Sequence, residues 1–358
     1  MAQNQTARKQ GTARVVKRIL MVLCALIAAL TIVVFALWGG ELSTLKTLSR
    51  VEDDVNLFTM EYKADYALDE FLKAGASTDA ELVDFIVRQM LKGIPLNFDL
   101  PNLGCSTFAA QLTDGTPIFG RNFDMYDSPA LFVTTHPKDG YASISMVNLA
   151  YIGYNSESLP TSLTKSIMTL AAPYAPLDGV NEKGLAVGVL QIKTTPTNQQ
   201  TDKVDITTTS AIRLLLDRAA TVEEAVELLS QYDMHASAGS CYHFHIADAK
   251  GGSVIVEYID DEMSVVQGDA ATNFLLTPGE YDFGSGEDRY AVLRETLDAN
   301  GGVFENEEQA MELLKAVSQP VSEEKKSSTQ WSCVYNQQDA GVEIAMNMDY
   351  EKVYTFGL

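Results

Sequence analysis

GCSTFAAQLTDGTPIFGRNFD, which occupies residues 104–124, is the stretch that decides the fold. Two apolar runs flank the dipeptide Asp114-Gly115, and an Asp-Gly pair between such runs is the strongest short-range signal for a β-hairpin. A hairpin places its strands side by side, so we expect Cys105, at the start of the first strand, to lie close to Arg121 and Asp124 at the end of the second. The stretch therefore predicts a thiol, a guanidinium and a carboxylate in one small region.

This grouping has two interpretations. A thiol beside a fixed positive charge has a lowered pKa and becomes a nucleophile, so we expect Cys105 to be catalytic beside Arg121. A free cysteine is also a common small apolar residue of protein cores, and an Asp-Gly hairpin with a nearby arginine is common in β-rich enzymes. The spacing alone leaves both interpretations open.

The same stretch resembles the choloylglycine hydrolase family of N-terminal-nucleophile hydrolases, which includes bile salt hydrolases, penicillin V acylases, N-acylethanolamine acid amidase and acid ceramidase. The resemblance aligns Cys105, Arg121 and Asp124 with the family's nucleophile, arginine and aspartate without a gap. It is specific over residues 105–358 and loose over residues 50–104. Three later segments also resemble family segments, namely DGVNEKGLA at residues 178–186, ATNF at residues 271–274 and the pair Asp288-Arg289.

The resemblance implies an α+β fold, a four-layer αββα sandwich over residues 105–358. It also implies that Cys105 becomes an N-terminal nucleophile once the bond between Gly104 and Cys105 has been cut by the protein itself. The free α-amino group would then take the thiol proton, since an unperturbed α-amino group titrates at pH ~7.7–8.0. Such a base needs no histidine, and this chain has only four.

The resemblance assigns roles to the remaining site residues. Asp124 would orient the amine, and Arg121 and Arg289 would hold the thiolate in its charged form. The oxyanion hole would consist of the Asn273 side-chain amide and the backbone N–H of Gln191. Many family members carry Asn or Tyr at that last position, so the side chain of Gln191 departs from the family pattern. Neither a cofactor nor a metal ion is implied.

Composition and charge limit the function classes. The chain has 358 residues, 46% of them hydrophobic, which is typical of a globular protein with a sizeable core. Its formal net charge is −22, although the charged residues among the first 18 are all basic. Because an acidic body repels phosphates, nucleic acid is excluded as a partner. The sequence contains no Gly-rich phosphate loop, no dinucleotide fingerprint and no Gly-x-Ser-x-Gly elbow.

An uncharged run, ILMVLCALIAALTIVVFALW, occupies residues 19–38. At ~1.5 Å rise per residue it would span about 30 Å, the thickness of a bilayer core. Basic residues precede it, so we expect a cytoplasmic tail at residues 1–18, a single-pass signal anchor at residues 19–39 and an extracellular catalytic domain on the cell membrane. A cleaved signal peptide is the rival interpretation, but Leu37-Trp38-Gly39-Gly40 lacks a small-x-small cleavage site. A buried core helix is disfavoured because the run is apolar all round.

Residues 40–104 are interpreted as a helical pro-segment, with a small accessory domain as the alternative. Thr78-Asp79-Ala80-Glu81 resembles a capping box, which opens a helix. From Cys105 onward the patterns predict mixed structure in one catalytic domain, residues 105–358. The predicted strands lie at residues 131–135, 185–192, 242–247 and 253–258, and the predicted helices at residues 210–220, 221–232 and 288–299.

Cysteine and histidine usage adds two weaker hypotheses. Cys241, His243 and His245 alternate along one strand face as metal ligands do, but no fourth ligand has a convincing spacing, so packed or surface histidines are the preferred interpretation. If Cys105 is the nucleophile and Cys24 lies in the anchor, only Cys241 and Cys333 could pair. The sequence leaves that pairing open, and two free buried thiols are preferred.

Three functions remain open from the sequence. The first is an extracellular amidohydrolase that cleaves linear C–N amide bonds of small N-acyl compounds, among them bile salts, penicillins, N-acyl ethanolamines, ceramide-like lipids and acyl homoserine lactones. The second is an acyltransferase like the penicillin-forming acyltransferases, which share a Gly-Cys processing site. The third is a membrane-tethered binding module that has lost catalysis. Arg121 favours the hydrolase, and the anchor with its pro-segment favours the amidase and ceramidase side of the family. The oligomeric state is left open.

Overall fold

The computed structural model describes residues 2–98, 104–126, 128–321 and 326–358, and side chains for all of these except residues 2–16 and 30–35. The α-helices are α1 (Ala2–Leu45), α2 (Leu68–Ala74), α3 (Asp79–Gln89), α4 (Thr208–Arg218), α5 (Val222–Ser230), α6 (Glu287–Asn300) and α7 (Glu307–Ala316). The strands are β1 (Ser49–Arg50), β2 (Leu57–Tyr62), β3 (Gly104–Leu112), β4 (Pro117–Met125), β5 (Ala130–Thr135), β6 (Ser143–Asn148), β7 (Pro176–Asn181), β8 (Ala186–Ile192), β9 (Val204–Thr207), β10 (Tyr232–His235), β11 (Cys241–Ala247), β12 (Ser253–Ile259), β13 (Glu262–Gln267), β14 (Ala270–Ala271), β15 (Val303–Phe304), β16 (Ser328–Asn336), β17 (Gly341–Met346) and β18 (Val353–Gly357).

Two large sheets form the centre of the fold. One has nine strands in the order β1-β2-β5-β6-β7-β8-β11-β12-β13, and the other has seven, in the order β14-β3-β4-β16-β17-β18 with β15 beside β3. The sheets pack face to face: His245 Nδ1 on β11 lies 2.8 Å from Thr107 Oγ1 on β3, and the rings of His245 and Phe119 are 5.0 Å apart. A short parallel pair of strands, β9 and β10, lies outside these sheets. The helix predicted at residues 221–232 ends earlier, at Ser230, because β10 begins at Tyr232.

Helices cover the outer faces of the two sheets. The Asn181 side chain on β7 donates to the carbonyl oxygens of Leu216 in α4 and Ala219 at its end, at 3.0 and 2.7 Å. On the other side, the Asn122 side chain on β4 donates to Leu314 O in α7 at 2.7 Å. The order helix, sheet, sheet, helix agrees with the predicted four-layer α+β sandwich.

The predicted hairpin is formed by β3 and β4. Its register places Gly104 opposite Asp124 and Cys105 opposite Phe123. Because successive side chains on a strand point to opposite faces, Cys105 and Phe123 enter the core between the sheets, whereas Phe108 packs with residues of α6 and α7. The Cys105 thiol and the Asp124 carboxylate consequently lie on opposite faces of the same hairpin.

The segment before Cys105 is only partly helical, which corrects the prediction of a helical pro-segment at residues 40–104. Helices α2 and α3 form, and the Thr78 side chain caps α3 by accepting from the backbone N–H of Glu81 at 3.2 Å. Residues 57–62, however, form β2, which pairs in parallel with β5 inside the nine-stranded sheet. Leu57, Phe58, Met60 and Tyr62 are buried there, since this pairing buries apolar residues on both faces of the strand.

Helix α1 passes through the predicted anchor at residues 19–39. The side chains of residues 30–35, within that prediction, lie outside the described part of the chain. Among the described residues, no helix combines the length and the apolar composition that a membrane crossing requires.

Candidate active site

The backbone of Cys105 is held from two sides. Its N–H donates to Asn273 Oδ1 at 2.8 Å, and its carbonyl oxygen accepts from Arg289 Nη1 at 2.6 Å. Asn273 arrives because β14, which ends two residues before it, pairs with β3 beside Thr107. Strand pairing therefore brings Asn273, a distant predicted site residue, to the predicted nucleophile.

Arg289 comes from the first turn of α6, and its guanidinium links three acceptors. Besides Cys105 O it donates to Asn273 Oδ1 at 2.9 Å and to Asp124 Oδ2 at 3.3 Å. Gly286, with φ of 93°, makes this approach possible: a Cβ there would lie 2.6 Å from Arg289 Nη2. The absent side chain and the positive φ both require glycine at this position.

Asp124 lies beside Gly104, the residue before Cys105. Its carboxylate accepts from Thr329 Oγ1 at 2.6 Å and from Gln319 Nε2 at 2.5 Å, in addition to Arg289. A Cβ on Gly104 would lie 3.2 Å from Asp124 Oδ2 and 3.0 Å from Gln319 Nε2. The position before Cys105 is thus crowded by the carboxylate itself, and glycine is the residue that fits without displacing a neighbour.

Arg121 lies on the inner face of the hairpin with Cys105 and is fully buried. Its Nε is 3.4 Å from Asp178 Oδ2, and the Tyr335 hydroxyl donates to Asp178 Oδ1. Burial raises the pKa of Asp178, while Arg121 and the bond from Tyr335 oppose that rise. Asp178 is a site neighbour that the sequence reasoning did not single out, although it opens the quoted segment at residues 178–186.

The thiol pKa is raised, so the expectation of a lowered pKa is wrong for the uncut chain. Burial raises the pKa of Cys105 to about 11, and the positive charges of Arg121 and Arg289 offset this only in part, while the charge of Asp124 raises the pKa further. The physical reason is that removing the sulfur from water costs the charged form more than two guanidinium groups return. In this state Cys105 is a neutral thiol at physiological pH.

Asn273 and Gln191, the two residues predicted to form the oxyanion hole, are hydrogen-bonded to each other, whereas we expected each to present an N–H to the oxyanion. Asn273 Nδ2 donates to the backbone carbonyl of Gln191 at 2.9 Å, so Gln191 meets Asn273 through its C=O. The Gln191 side chain donates to Ser240 Oγ at 2.7 Å. Because a side-chain amide nitrogen carries two protons, the bond to Gln191 leaves Asn273 a second N–H that could face an oxyanion.

Two tyrosines near the thiol were not indicated by the sequence. Tyr151 and Tyr242 are buried, burial raises the pKa of each, and the charge of an ionised Cys105 would raise both further. Tyr151 lies in a short 3-10 helix after β6, whereas Tyr242 lies on β11, and no local motif marks either. Only the packing of the two sheets brings them to the site.

The cysteines and histidines of the two weaker sequence hypotheses are all buried. Cys241 and Cys333 are buried and free, in agreement with the preferred interpretation. His243 and His245 are buried and hydrogen-bonded within the protein. No group of three or more His, Cys, Asp or Glu residues that could hold a metal ion occurs in the described part of the chain.

Comparison with known proteins agrees with this geometry. A sequence model of the choloylglycine hydrolase family, described as linear amide C–N hydrolases, matches residues 105–279 and thus begins at Cys105. Penicillin V acylase from Pectobacterium atrosepticum is 34% identical over 102 residues, 25% of this chain and 26% of that protein. The match therefore spans about a quarter of the curated relative's length.

The fold also has solved counterparts. Two variants of conjugated bile acid hydrolase from Clostridium perfringens, at 16% identity, align with a TM-score of 0.52 over 71% of this chain and 92% of theirs. This likeness shows the fold. Residues 105–279, just under half of this chain, are thus similar to the choloylglycine hydrolase family of linear amide C–N hydrolases.

Proposed function

We propose that this chain is a cysteine amidohydrolase that cleaves linear C–N amide bonds of small N-acyl compounds after cutting itself between Gly104 and Cys105. The observation that carries the proposal is the convergence on Cys105: Asn273 and Arg289 hold its backbone, Arg121 shares its face of the hairpin, and Asp124 adjoins the preceding residue. These groups match the chemistry of a thiol nucleophile whose own amine is the base.

Self-cleavage would proceed within one chain. The Cys105 sulfur attacks the carbonyl carbon of Gly104, the C–N bond breaks as the nitrogen takes a proton, and a thioester replaces the peptide bond. Water then hydrolyses the thioester, which leaves a carboxylate on Gly104 and frees both the thiol and the amine of Cys105. The missing Cβ of Gly104 supports this step, because the backbone there can adopt the strained approach that the attack needs.

Amide hydrolysis would use the groups that cleavage releases. The new α-amino group takes the thiol proton, and the nitrogen already has an acceptor in Asn273 Oδ1. The thiolate attacks the substrate carbonyl, and preorganised donors stabilise the oxyanion, each worth on the order of 3 kcal/mol. The amine product leaves with a proton, and water hydrolyses the acyl-enzyme. The sulfur belongs to an apolar core cluster that includes Phe123, which supports a substrate with an apolar acyl group.

The anchor is proposed as part of the same function. Residues 1–18 would remain in the cytoplasm, residues 19–39 would span the cell membrane, and the catalytic domain would lie outside. The support is the basic tail that precedes the uncharged run of residues 19–38. Protease added to intact cells should cut beyond Gly40, and a protected catalytic domain with a cut tail would refute the orientation.

The deciding experiment uses purified full-length protein, its intact mass over time and a panel of N-acyl amides. The wild-type chain should convert to two fragments, the larger beginning at Cys105, with a rate constant independent of protein concentration. Cys105→Ala should neither cleave itself nor hydrolyse the amides, and Cys105→Ser should retain at most a trace of either activity. Cys241 is another buried free cysteine, and Cys241→Ala should both cleave itself and hydrolyse the amides. An active enzyme that remains one uncut chain would rule out the N-terminal nucleophile.

A further inference from the structure

His243 on β11 is fully buried and both of its ring nitrogens face acceptors. Nε2 lies 2.7 Å from the carbonyl oxygen of Thr272, and Nδ1 lies 3.1 Å from Glu257 Oε1. A carbonyl oxygen can only accept a hydrogen bond, and an ionised carboxylate can only accept one too. With Glu257 ionised, this geometry fits a ring that carries a proton on both nitrogens and pairs with that carboxylate in the protein interior.

Glu257 on β12 has the partners of an ionised carboxylate. Besides His243 it accepts from the backbone N–H of Leu276 at 2.7 Å and from that of Thr277 at 2.9 Å. Burial acts to raise the pKa of Glu257, but these bonds and the bond from His243 outweigh it, so the pKa is lowered. The carboxylate is thus satisfied by three donors, as a buried charge needs to be.

The pair contacts the chain on both sides of Asn273. His243 holds the carbonyl of Thr272, immediately before Asn273, and Glu257 holds the amides of Leu276 and Thr277, shortly after it. Asn273 is the residue whose side chain contacts both Cys105 and Arg289. A fully satisfied polar network of this kind restricts the backbone it holds.

We propose that His243 and Glu257 form a buried ion pair that positions Asn273 against the nucleophile. This inference rests on the proposed function, in which Asn273 donates to the oxyanion. Neither residue touches the reacting atoms, so both are positioning residues that act through the segment at residues 272–277.

The neighbouring histidine on the same strand shows the contrast. His245 bonds the hydroxyl groups of Thr107 and Ser253, which can accept or donate, and therefore needs no second ring proton. Burial and then the positive charge of His243 lower the pKa of His245 to about 3. Two histidines that point to the same face thus differ in charge because their partners differ.

The first test reads the charge directly and requires no activity. Full-length Cys105→Ala protein, labelled with ¹⁵N at histidine, should show protons on both ring nitrogens of His243 at neutral pH. The signals are assigned by their loss in His243→Gln. A His243 ring with one unprotonated nitrogen would overturn the ion pair.

The second test asks whether the pair acts through Asn273. His243→Gln and Glu257→Gln should each lower kcat by roughly tenfold or more, less than the roughly 10²–10³-fold loss from removing an oxyanion donor, with little change in KM. In an Asn273→Ala background, the same substitutions should cause no further loss of kcat. If the loss of kcat in a double variant equals the product of the losses in the two single variants, the positioning role is overturned.

Controls separate this result from other failures. His235→Gln removes another buried histidine, bonded through both nitrogens to Asn198 and Asp205, and should leave kcat unchanged. Thermal unfolding identifies variants that fail to fold, and Glu257→Gln keeps the shape of the site if His243→Gln does not fold. A folded wild-type protein without amidase activity would refute the proposed function, and the ring nitrogens would still decide whether the ion pair exists.

Discussion

Arg289 Nη1 donates to the carbonyl oxygen of Cys105 at 2.6 Å. The same guanidinium reaches Asn273 and Asp124, so one side chain joins the backbone of the proposed nucleophile to two other predicted site residues. A planar fork of five donors can bind several acceptors at once, which an ammonium group cannot do in the same geometry.

Arg289→Lys should therefore impair the site although it keeps the positive charge. We expect self-cleavage and amide turnover to fall by at least tenfold, because lysine cannot hold the Cys105 carbonyl, Asn273 and Asp124 together. The measurement is the intact-mass time course together with kcat. Arg294→Lys, in the same helix with Asp269 and Asp298 as partners, is the matched control and should change neither. Wild-type rates in Arg289→Lys would show that charge alone suffices.

Gly104→Ala should slow self-cleavage by more than tenfold. The new methyl group would lie 3.0–3.2 Å from Gln319 Nε2 and the Asp124 side chain, so the bond to be cut would have to move. Gly39→Ala meets nothing within 4 Å and should cleave at the wild-type rate. The uncut fraction at fixed times, read from intact mass, decides the outcome, and equal rates for both variants would contradict the crowding argument.

Self-cleavage should accelerate with pH. The uncut thiol has its pKa raised to about 11, so the thiolate fraction grows roughly tenfold per pH unit below that value. Rate constants from pH 7 to 10 should rise accordingly. Arg121→Gln removes a charge that lowers the thiol pKa, so its profile should shift to higher pH, whereas Arg121→Lys should shift less. A flat profile in wild-type protein would mean that thiol ionisation does not limit the cleavage.

Asn273→Ala should lower kcat for amide hydrolysis by roughly 10²–10³-fold, as the loss of one oxyanion donor does. The comparison is made on protein that has already been cut, so that an effect on self-cleavage does not enter. Gln191→Ala should cost less, because Gln191 meets Asn273 through its backbone carbonyl. Asn155→Ala, in an exposed turn, serves as the control. A loss in Gln191→Ala equal to that in Asn273→Ala would assign the main role to the glutamine side chain.

Local features were predictable where the chemistry is local. The Asp-Gly turn specifies the hairpin, and the hairpin alone places Cys105 on one face with Arg121 and places Gly104 opposite Asp124. The cap at Thr78 was also readable, because it depends on a residue only three positions away. Strand β2 was not, since its pairing with β5 joins residues about 70 positions apart and overrides the local preference.

The sequence by itself determined that Cys105 shares one hairpin with Arg121 and Asp124, because a single turn brings the two strands together. A resemblance added Asn273 and Arg289 as predicted site residues. The tertiary structure alone decided how these residues meet and what their charges are. Burial between two sheets raises the thiol pKa where the nearby arginine suggested the reverse, and desolvation depends on every element that covers the sulfur. The pairing of His243 with Glu257 likewise exists only because adjacent strands and a distant loop converge.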